Sequence, residues 1–319
     1  MAISRREIEH ICGKLGFEAG PVEKVLRLKE LLKDIFAHPF LRERMVLNGG
    51  TAINLHYFDL ARLSVDIDLN YIGSIDLAQA KKDRPMVEEA LIRIVEDRGY
   101  EIKRGPTDDH AGGKWILKFE NVYGSRALLE LDVNYMYRIP IWSPDRVELK
   151  RLYQESICRV GILCFEELMA GKISALIQRV AVRDIYDIYR FLNWKGNYEA
   201  EKIRKLSIIF AAAGRKDIRN FNPNLIKNIQ EEDFKQELHP MLPAQKRVGR
   251  EKLLGCVIPF VKDLLSFEEK EKSFLNLLLD KAEYHPELLF SDSEIIGKLK
   301  RHPVVLWKRL NVEKFFEGG

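Results

Sequence analysis

Residues 63–71 alternate strictly between apolar and polar side chains, and this alternation constrains the fold more than any other feature of the chain. The two alternating sets are Leu63, Val65, Ile67 and Leu69 on one side and Ser64, Asp66, Asp68 and Asn70 on the other. Successive residues of a β-strand point to opposite faces of a sheet. The pattern therefore predicts a strand that buries one face and presents carboxylates on the other.

Strand patterns are confined to the first half of the chain, and helical spacing dominates the second half. Further strand candidates lie at 44–51, 115–120 and 127–135, and helices are predicted at 1–38, 84–98, 165–180, 183–192, 201–213 and over most of 222–319. Strands that cluster before about residue 165, followed by helices, indicate an α+β chain. We predict a mixed-sheet domain with N-terminal helices over 1–164 and an all-helical domain over 165–319.

The composition is that of a globular protein, because 46% of the residues are hydrophobic and 31% are charged. No apolar stretch approaches the roughly 20 residues that a membrane-spanning helix needs, so we expect no membrane contact. The first 17 residues are charged and contain no apolar signal core. The four cysteines are scattered, without zinc-site spacing, which suits free thiols in the cytoplasm.

Two carboxylates of the alternating segment are the sharpest chemical signal. Asp66 and Asp68 project from the same face of the predicted strand, roughly 6.6 Å apart along the backbone. Carboxylates at that spacing can hold one Mg²⁺ or bracket two, and such ions stabilise phosphoryl displacement. A neighbouring strand usually supplies a third acid, for which Asp132 is favoured and Glu130 is second. The alternative is that these acids line a solvated sheet face.

A glycine pair precedes the acidic strand. Asn48-Gly49-Gly50-Thr51 ends a short apolar run and begins a helical segment. Glycines let the backbone approach an anion closely, and the free N–H groups of a helix start favour phosphate. The hydroxyl of Thr51 can cap the helix or bind phosphate. The turn and the acids together indicate a site for a phosphorylated ligand and a metal.

A basic helix forms a second cluster. Lys172 and Arg179 are seven residues apart and so share one helix face, roughly 10 Å from each other. A triphosphate can touch both, with lysine as a point charge and arginine as a fork of donors. Asp184 and Asp187 lie at the start of the next helix, where the dipole favours negative charge. The alternative is a solvated lysine with structural aspartates.

These segments resemble a known family. Gly49-Gly50-Thr51, followed by 62–69 with Asp66 and Asp68, resembles the first motif of the DNA polymerase β-like nucleotidyltransferase superfamily. More narrowly it is similar to the AbiEii/MenT toxin nucleotidyltransferases, which carry a K-x(6)-R segment followed closely by RDxxDL. Lys172, Arg179 and Arg183-Asp184 match that pattern, with Ile188 in the last position. The segment 302–308 resembles the family's helical tail, so the resemblance covers about 40–310.

The resemblance implies transfer of a nucleoside monophosphate from an NTP to an acceptor, with Mg²⁺ or Mn²⁺. It implies roles for these residues: Asp66, Asp68, Lys172 and Asp184 in catalysis, Asp66, Asp68 and Asp132 on the metal, and Gly49, Gly50, Thr51, Ser64, Lys172 and Arg179 on the nucleotide. For Ser64 a modification site or a plain strand hydroxyl stays open, and the plain hydroxyl is preferred. The helical domain would bring its Lys, Arg and Asp to the active-site cleft.

The family also suggests the biological setting. The acceptor would be RNA, with tRNA 3′ ends favoured, and the protein would be the toxin of a bacterial toxin–antitoxin or phage-defence pair with a cognate antitoxin. Three alternatives stay open from the residues: a nucleotidyltransferase that modifies a small molecule or protein hydroxyl, a non-catalytic nucleotide-binding module, and a metal-dependent nuclease. The net charge of +4 fits a polyanionic partner without requiring one.

Overall fold

The structure, a computed structural model, describes residues 3–106 and 112–317. These residues form two compact units. The first unit comprises Met1–Arg138, Ser143–Leu163 and Leu238–Arg247, and the second comprises Ile139–Trp142, Cys164–Glu237 and Val248–Gly319. Sheet and helices separate as the sequence predicts, which confirms the α+β class with C-terminal helices.

The first unit contains one mixed sheet and its helices. Its elements are α1 (Arg5–Leu15), α2 (Ala19–Ala37), β1 (Met45–Asn48), α3 (Gly49–Ala52), β2 (Asp66–Tyr71), α4 (Leu77–Asp97), β3 (Glu101–Arg104), β4 (Gly112–Glu120), β5 (Arg126–Asn134), β6 (Asp145–Glu148) and β7 (Arg159–Ile162). The seven strands lie in the order β3-β4-β5-β2-β1-β7-β6. Strand β2 is central, antiparallel to β1 and parallel to β5.

The predicted central strand forms, but it begins three residues later than the alternation suggests. Strand β2 starts at Asp66. Upstream, the N–H of Leu63 donates to the carbonyl of Met241 at 2.8 Å instead of joining the sheet. Residues 63–65 are all buried, Ser64 included, so alternation in burial begins only at Asp66.

Three strands were not predicted, namely β3, β6 and β7. Each has four residues, which is too short for a period of two to stand out in the sequence. Only β7 alternates clearly in burial, and β3 and β6 present mostly exposed side chains. These strands extend both sides of the sheet, where pairing with a neighbour decides their conformation more than local preference does.

Helix α2 anchors the sheet through buried charged residues. It packs against α4 and β7. Lys29, only 2% exposed, pairs with Glu155 at 2.5 Å and donates to the carbonyl of Lys150 at 2.8 Å. Glu23 accepts from the N–H of Val122 at 3.2 Å, in the turn between β4 and β5. Both charges are therefore compensated, as buried ions must be.

The second unit is a helical bundle. Its α-helices are α5 (Phe165–Arg179), α6 (Val182–Leu192), α7 (Ala200–Ala212), α8 (Glu231–Asp233), α9 (Arg250–Leu264), α10 (Glu269–Lys281), α11 (Ser293–Lys300) and α12 (Pro303–Glu317). Helix α5 packs against α6 and α7, and α6 packs against α9. Helix α12 packs against α7 and α10. Across the described ranges, no helix is both long and apolar enough to cross a bilayer.

One buried carboxyl in this bundle makes stability depend on pH. Glu167 on α5 is 3% exposed and accepts the N–H of Ile141 at 2.9 Å. Burial raises the pKa of Glu167 to about 8, although main-chain N–H groups and Lys298 act against the shift. The folded protein thus keeps a proton that the unfolded chain gives up near its ordinary value.

We predict that Glu167→Gln abolishes this dependence. From about pH 4.5 to about 8 the unfolded chain ionises and the folded one does not, so wild-type stability falls by up to about 1.4 kcal/mol per pH unit. Urea denaturation should show equal stability of the two proteins at pH 4.5 and a more stable variant at pH 8. The exposed Glu251→Gln should follow the wild type at both values. Parallel curves of unfolding free energy against pH for the wild type and Glu167→Gln would show that Glu167 does not have a raised pKa in the folded protein.

Candidate active site

Two parallel strands bring the predicted acids into register. Asp68 lies directly opposite Asp132, and Asp66 lies opposite Glu130. Neighbouring strands lie roughly 4.8 Å apart, and paired residues point to the same face. All four carboxylates are partly exposed, whereas Ile67 between the first two is fully buried. The sheet therefore gathers four acids on one accessible face.

A row of four polar residues crosses this face, each on a different strand. Asn48 pairs with Asp68 across β1 and β2, Asp68 with Asp132 across β2 and β5, and Asp132 with Lys114 across β5 and β4. Sequence reasoning missed Lys114. The signal was the alternation of β4, where Lys114 lies between the buried Gly113 and Trp115.

The glycine turn lies directly against one of these acids. Gly49 has φ +70°, a left-handed conformation that L-residues with a Cβ adopt at an energetic penalty. A Cβ at Gly49 would stand 2.1 Å from Oδ2 and 2.8 Å from Cγ of Asp68. Only glycine fits here, because the carboxylate occupies the space that a side chain would need. The turn and the acidic strand, which the sequence indicates as parts of one site, therefore lie side by side.

The side chain of Thr51 links the glycine turn to strand β2. Its hydroxyl donates to the carbonyl of Asp66 at 2.5 Å, and the residue has no exposed surface. Asn54 donates from Nδ2 to the carbonyl of Gly50 at 3.0 Å. The main chain of the turn is therefore held from within the protein. The Thr51 side chain positions Asp66, so phosphate contacts from this turn would come from backbone N–H groups.

Ser64 occupies a buried position before the strand. It is 4% exposed and lies in the segment 62–65, outside β2. Its neighbour Arg62 is also buried and donates from Nη1 to the carbonyl of Leu63 at 2.9 Å. Access to the Ser64 hydroxyl is therefore small, which suits the structural interpretation that the sequence favoured.

The charges on the face influence one another. Lys114 pairs with Glu130 at 2.5 Å, and this hydrogen bond, opposed by burial and helped by the charges of Glu130, Asp132 and Asp66, raises the pKa of Lys114. Burial raises the pKa of Asp132, Lys114 acts against that shift, and Glu130 adds to it. A cation beside Asp132 would therefore favour its ionised form, against the effects of burial and of Glu130.

The residues present fit a hard divalent cation. Within residues 3–106 and 112–317, no group of three or more Asp, Glu, His or Cys side chains is placed so that it could hold a metal ion without further ligands. A magnesium site of this kind does not need one, because Mg²⁺ in nucleotide enzymes takes one or two carboxylates and completes its shell with water and substrate phosphates. Asp66, Asp68 and Asp132 offer oxygen ligands from neighbouring strands, beside a turn that accommodates a carboxylate oxygen where a Cβ would stand.

The second cluster of predicted residues forms within the helical unit. Nζ of Lys172 lies 3.1 Å from Oδ1 of Asp184 and 3.1 Å from Oδ2 of Asp187. Arg179 donates two hydrogen bonds to the Asp184 carboxylate, from Nε to Oδ2 at 2.7 Å and from Nη2 to Oδ1 at 2.9 Å. Both aspartates are fully buried, while the Arg179 side chain is 62% exposed. The aspartates therefore hold the two cations and do not themselves reach solvent.

The electrostatics of this cluster favour ionised aspartate. Burial acts to raise the pKa of Asp184, but the charges and hydrogen bonds of Lys172 and Arg179 outweigh it, and the net pKa is lowered. Val180, next to Arg179, has φ +53°, an unfavourable conformation for a β-branched residue. The strained residue lies in the short turn between α5 and α6. This turn orients the two helices so that the side chains of Lys172 and Asp184 are in contact.

Comparison with known proteins decides the family. Residues 30–265 match the profile described as "Nucleotidyl transferase AbiEii toxin, Type IV TA system". That span is most of the 319 residues. The chain belongs to the AbiEii nucleotidyltransferase toxin family. It is accordingly an enzyme that transfers nucleotidyl groups, and the predicted resemblance is confirmed.

A solved structure agrees in fold. MenT4, a nucleotidyltransferase toxin from Mycobacterium tuberculosis H37Rv, is similar with a TM-score of 0.62 at 14% identity, over 96% of this chain and 99% of that one. At this identity the similarity concerns the fold alone. Comparison with curated proteins gives no match. The family profile ends at residue 265, so the resemblance of 302–308 to the family's tail stays a prediction.

We predict that Gly49→Ala inactivates this AbiEii-family enzyme while leaving it folded. The new methyl group would displace the Asp68 carboxylate, and misplacing a catalytic group by about 1 Å can lower the rate on the order of a hundredfold. Nucleotide transfer and melting temperature should be measured together.

Gly99→Ala is the matched control for Gly49→Ala. Gly99 has φ +75°, but nothing lies within 4 Å of an added Cβ. Both variants should lose similar stability from the backbone strain, and only Gly49→Ala should lose activity. Full activity in Gly49→Ala would show that the position of Asp68 against the turn does not matter for transfer.

A second prediction concerns the buried ion pairs. Asp184→Asn removes a charge that holds both Lys172 and Arg179, and breaking one partner of a buried pair destabilises by about 3–5 kcal/mol. The control is Asp280→Asn, since Asp280 also binds an arginine through two nitrogens but is 51% exposed. That surface pair should contribute less than about 1 kcal/mol. Equal losses in urea denaturation would contradict the buried character of the cluster.

Proposed function

We propose that this enzyme transfers a nucleoside monophosphate from an NTP to a hydroxyl of RNA, with the 3′ end of tRNA as the favoured acceptor. The transfer depends on Mg²⁺ or Mn²⁺. The family description supports nucleotidyl transfer and a toxin–antitoxin setting. The metal, the RNA acceptor and a role in phage defence are the finer parts of the proposal.

One observation carries the metal-dependent chemistry. Oδ2 of Asp68 lies 2.1 Å from the position that a Cβ at residue 49 would take, and Asp132 lies beside Asp68 in register. A helix start with a partly exposed Gly49 thereby adjoins a pair of carboxylates. Phosphate oxygens bound at the turn would be within reach of a cation bound at the acids.

Each residue then has a distinct task. The backbone of Gly49 and Gly50 orients the triphosphate, and Thr51 keeps Asp66 in place through its hydrogen bond to the strand. Asp66, Asp68 and Asp132 would hold the divalent cation, which would supply positive charge where negative charge develops in the transition state. One of these carboxylates takes the proton of the acceptor hydroxyl, whose oxygen forms a bond to the α-phosphorus of the NTP. The bond between the α-phosphorus and the oxygen that bridges to the β-phosphate breaks, and pyrophosphate leaves.

Lys172 and Arg179 stay predicted phosphate contacts, on the evidence of the family motif. Their pairing with Asp184 supports a positioning task for that aspartate, because a buried carboxylate can orient two cations without touching substrate. If Lys172 contacts phosphate, Lys172→Ala raises KM for the NTP and leaves the affinity for RNA unchanged.

The family description also supports a protein partner. A toxin of a Type IV system works alongside an antitoxin, and we propose that a neighbouring gene encodes one for this protein. Co-expression should relieve the growth arrest that this enzyme alone causes. Expression of the Asp68→Asn variant without the antitoxin should cause no growth arrest, and this result would identify catalysis as the source of toxicity.

The central experiment uses four α-³²P-labelled NTPs with unfractionated bacterial RNA. We expect label in RNA of tRNA size from at least one NTP, and none after addition of a chelator. Asp68→Asn should lower labelling on the order of a thousandfold, since removal of a group that stabilises the transition state has effects of that size. Asp97→Asn, an exposed acid at the end of α4, serves as the control and should be fully active.

Each other outcome has a defined meaning. Label that appears in protein, or in a small molecule when RNA is omitted, would replace RNA with that acceptor. RNA cleavage that needs no NTP would indicate a nuclease. Equal labelling by wild type and Asp68→Asn would remove the carboxylates from the mechanism altogether.

A further inference from the structure

A cleft lies in the first unit, at a place that the proposed chemistry does not use. Its volume is about 460 Å³. Four separate chain segments contribute its walls: the end of α1, the turn at Asp59 and Leu60, the segment 150–154, and residues 243–246. A size of this order is typical of ligand sites.

Specific main-chain hydrogen bonds bring these distant segments together. The N–H of Ala244 donates to the carbonyl of Gly16 at 2.9 Å, which holds the 243–246 segment against the end of α1. The N–H of Lys150 donates to the carbonyl of Leu55 at 2.7 Å. The cleft thus forms only in the folded unit, from segments that are far apart in the sequence, and no single run of basic residues predicts it.

The rim of the cleft is strongly basic. Lys14, Lys150, Arg151 and Lys246 line it, and all four are exposed. The only acid among the lining residues, within the part of the chain that the structure describes, is Asp59, which pairs with Lys150. Neither Lys14 nor Lys246 has an ion-pair partner within 4.0 Å in the described ranges. Arg151 lies 3.8 Å from Glu148, so the positive charge that remains on the lining comes from Lys14 and Lys246.

The cleft also presents an aromatic ring and an apolar floor. Tyr153 is partly exposed, and its ring packs against His10 with a centroid distance of 4.5 Å. Phe17, Leu60 and Leu152 are buried beneath the rim. Cations beside an aromatic ring are the combination that single-stranded nucleic acid requires, since phosphates bind the cations and a base stacks on the ring.

Backbone strain in the cleft wall is a further sign of a functional site. Asp59 and Leu60 have φ +49° and +57°, in the left-handed region. Asp tolerates this conformation, whereas for Leu it is unfavourable. The strain turns the chain so that Leu60 reaches the floor while Asp59 stays on the rim. Strain of this kind persists where the surrounding structure imposes it, often at binding sites.

The cleft is connected to the glycine turn by one continuous helical segment. Helix α3 starts at Gly49, and a π-helical stretch, Ile53–Tyr57, continues it to within two residues of Asp59. A helix of this length spans roughly 13 Å at about 1.5 Å per residue. A strand of RNA whose terminal hydroxyl lies at the acids can reach the cleft a few nucleotides further along.

We propose that this basic cleft binds the phosphodiester backbone of the RNA acceptor, a few nucleotides from its reacting end. The proposal rests on the proposed function in that RNA is the acceptor. Lys14 and Lys246 contact phosphates, and Tyr153 stacks on a base. An NTP does not need this site, so the cleft governs affinity for RNA and leaves affinity for NTP to the turn and the acids.

The test measures binding of fluorescently labelled, unfractionated bacterial tRNA to the full chain at several salt concentrations. Lys14→Ala/Lys246→Ala should weaken binding on the order of tenfold at low salt and reduce the slope of log affinity against log salt by about two. Lys81→Ala/Lys82→Ala is the control, because it removes the same charge from two exposed lysines of α4. Melting temperatures should match the wild type in both variants.

The outcomes separate this proposal from the proposed function. Equal weakening in both double variants, or none in Lys14→Ala/Lys246→Ala, overturns the cleft while RNA labelling by the wild type still supports transfer to RNA. Displacement of labelled tRNA by polyglutamate as readily as by single-stranded RNA would also overturn it, since the cleft would then favour acidic proteins equally. Selective loss in the cleft variant, together with RNA labelling by the wild type, supports the proposal. Labelling of a different acceptor alone overturns it, because the cleft would then have no RNA acceptor to bind.

Discussion

The contact between the Asp68 carboxylate and the backbone at Gly49 is the constraint on which the rest of the site depends. It requires glycine at a left-handed position, it needs β1 and β2 to pair so that Asn48 faces Asp68, and it needs Thr51 to tie the turn to Asp66. If the carboxylate moved, the acids and the anion-binding backbone would no longer adjoin. The central strands and the turn therefore form a single functional element.

The two units handle charge in opposite ways. In the sheet unit, acids gather on a partly exposed face, and Lys114 pairs with Glu130 among them, so the face is suited to a cation from solution. In the helical unit, the buried Asp184 and Asp187 are matched by Lys172 and Arg179 within the protein. The acids of the sheet face can therefore attract a cationic ligand. The aspartates of the helical unit are already paired, and they hold Lys172 and Arg179 in fixed positions.

The sequence predicted those features that have a local signal. The strand around Asp66 and Asp68 follows from a period of two, and the helices after residue 165 follow from their longer period. Features that arise from contacts between distant segments were not predicted. Lys114 meets Glu130 only across a strand pair, and residues 243–246 meet the end of α1 only after folding. The hydroxyl of Thr51 could bind phosphate or cap a helix by sequence, and only the structure shows it bound to the Asp66 carbonyl.

The affinity of the sheet face for a divalent cation can be measured directly, without any assumption about the acceptor. Titration of Mn²⁺ followed by electron paramagnetic resonance, with a non-hydrolysable NTP analogue present, reports occupancy of the acids. The account predicts one or two ions bound to the wild type and to Asp97→Asn, and affinity weaker by roughly tenfold or more in Asp68→Asn. Unchanged Mn²⁺ affinity in Asp68→Asn would contradict it, because the carboxylate beside Gly49 would then have no part in holding the metal.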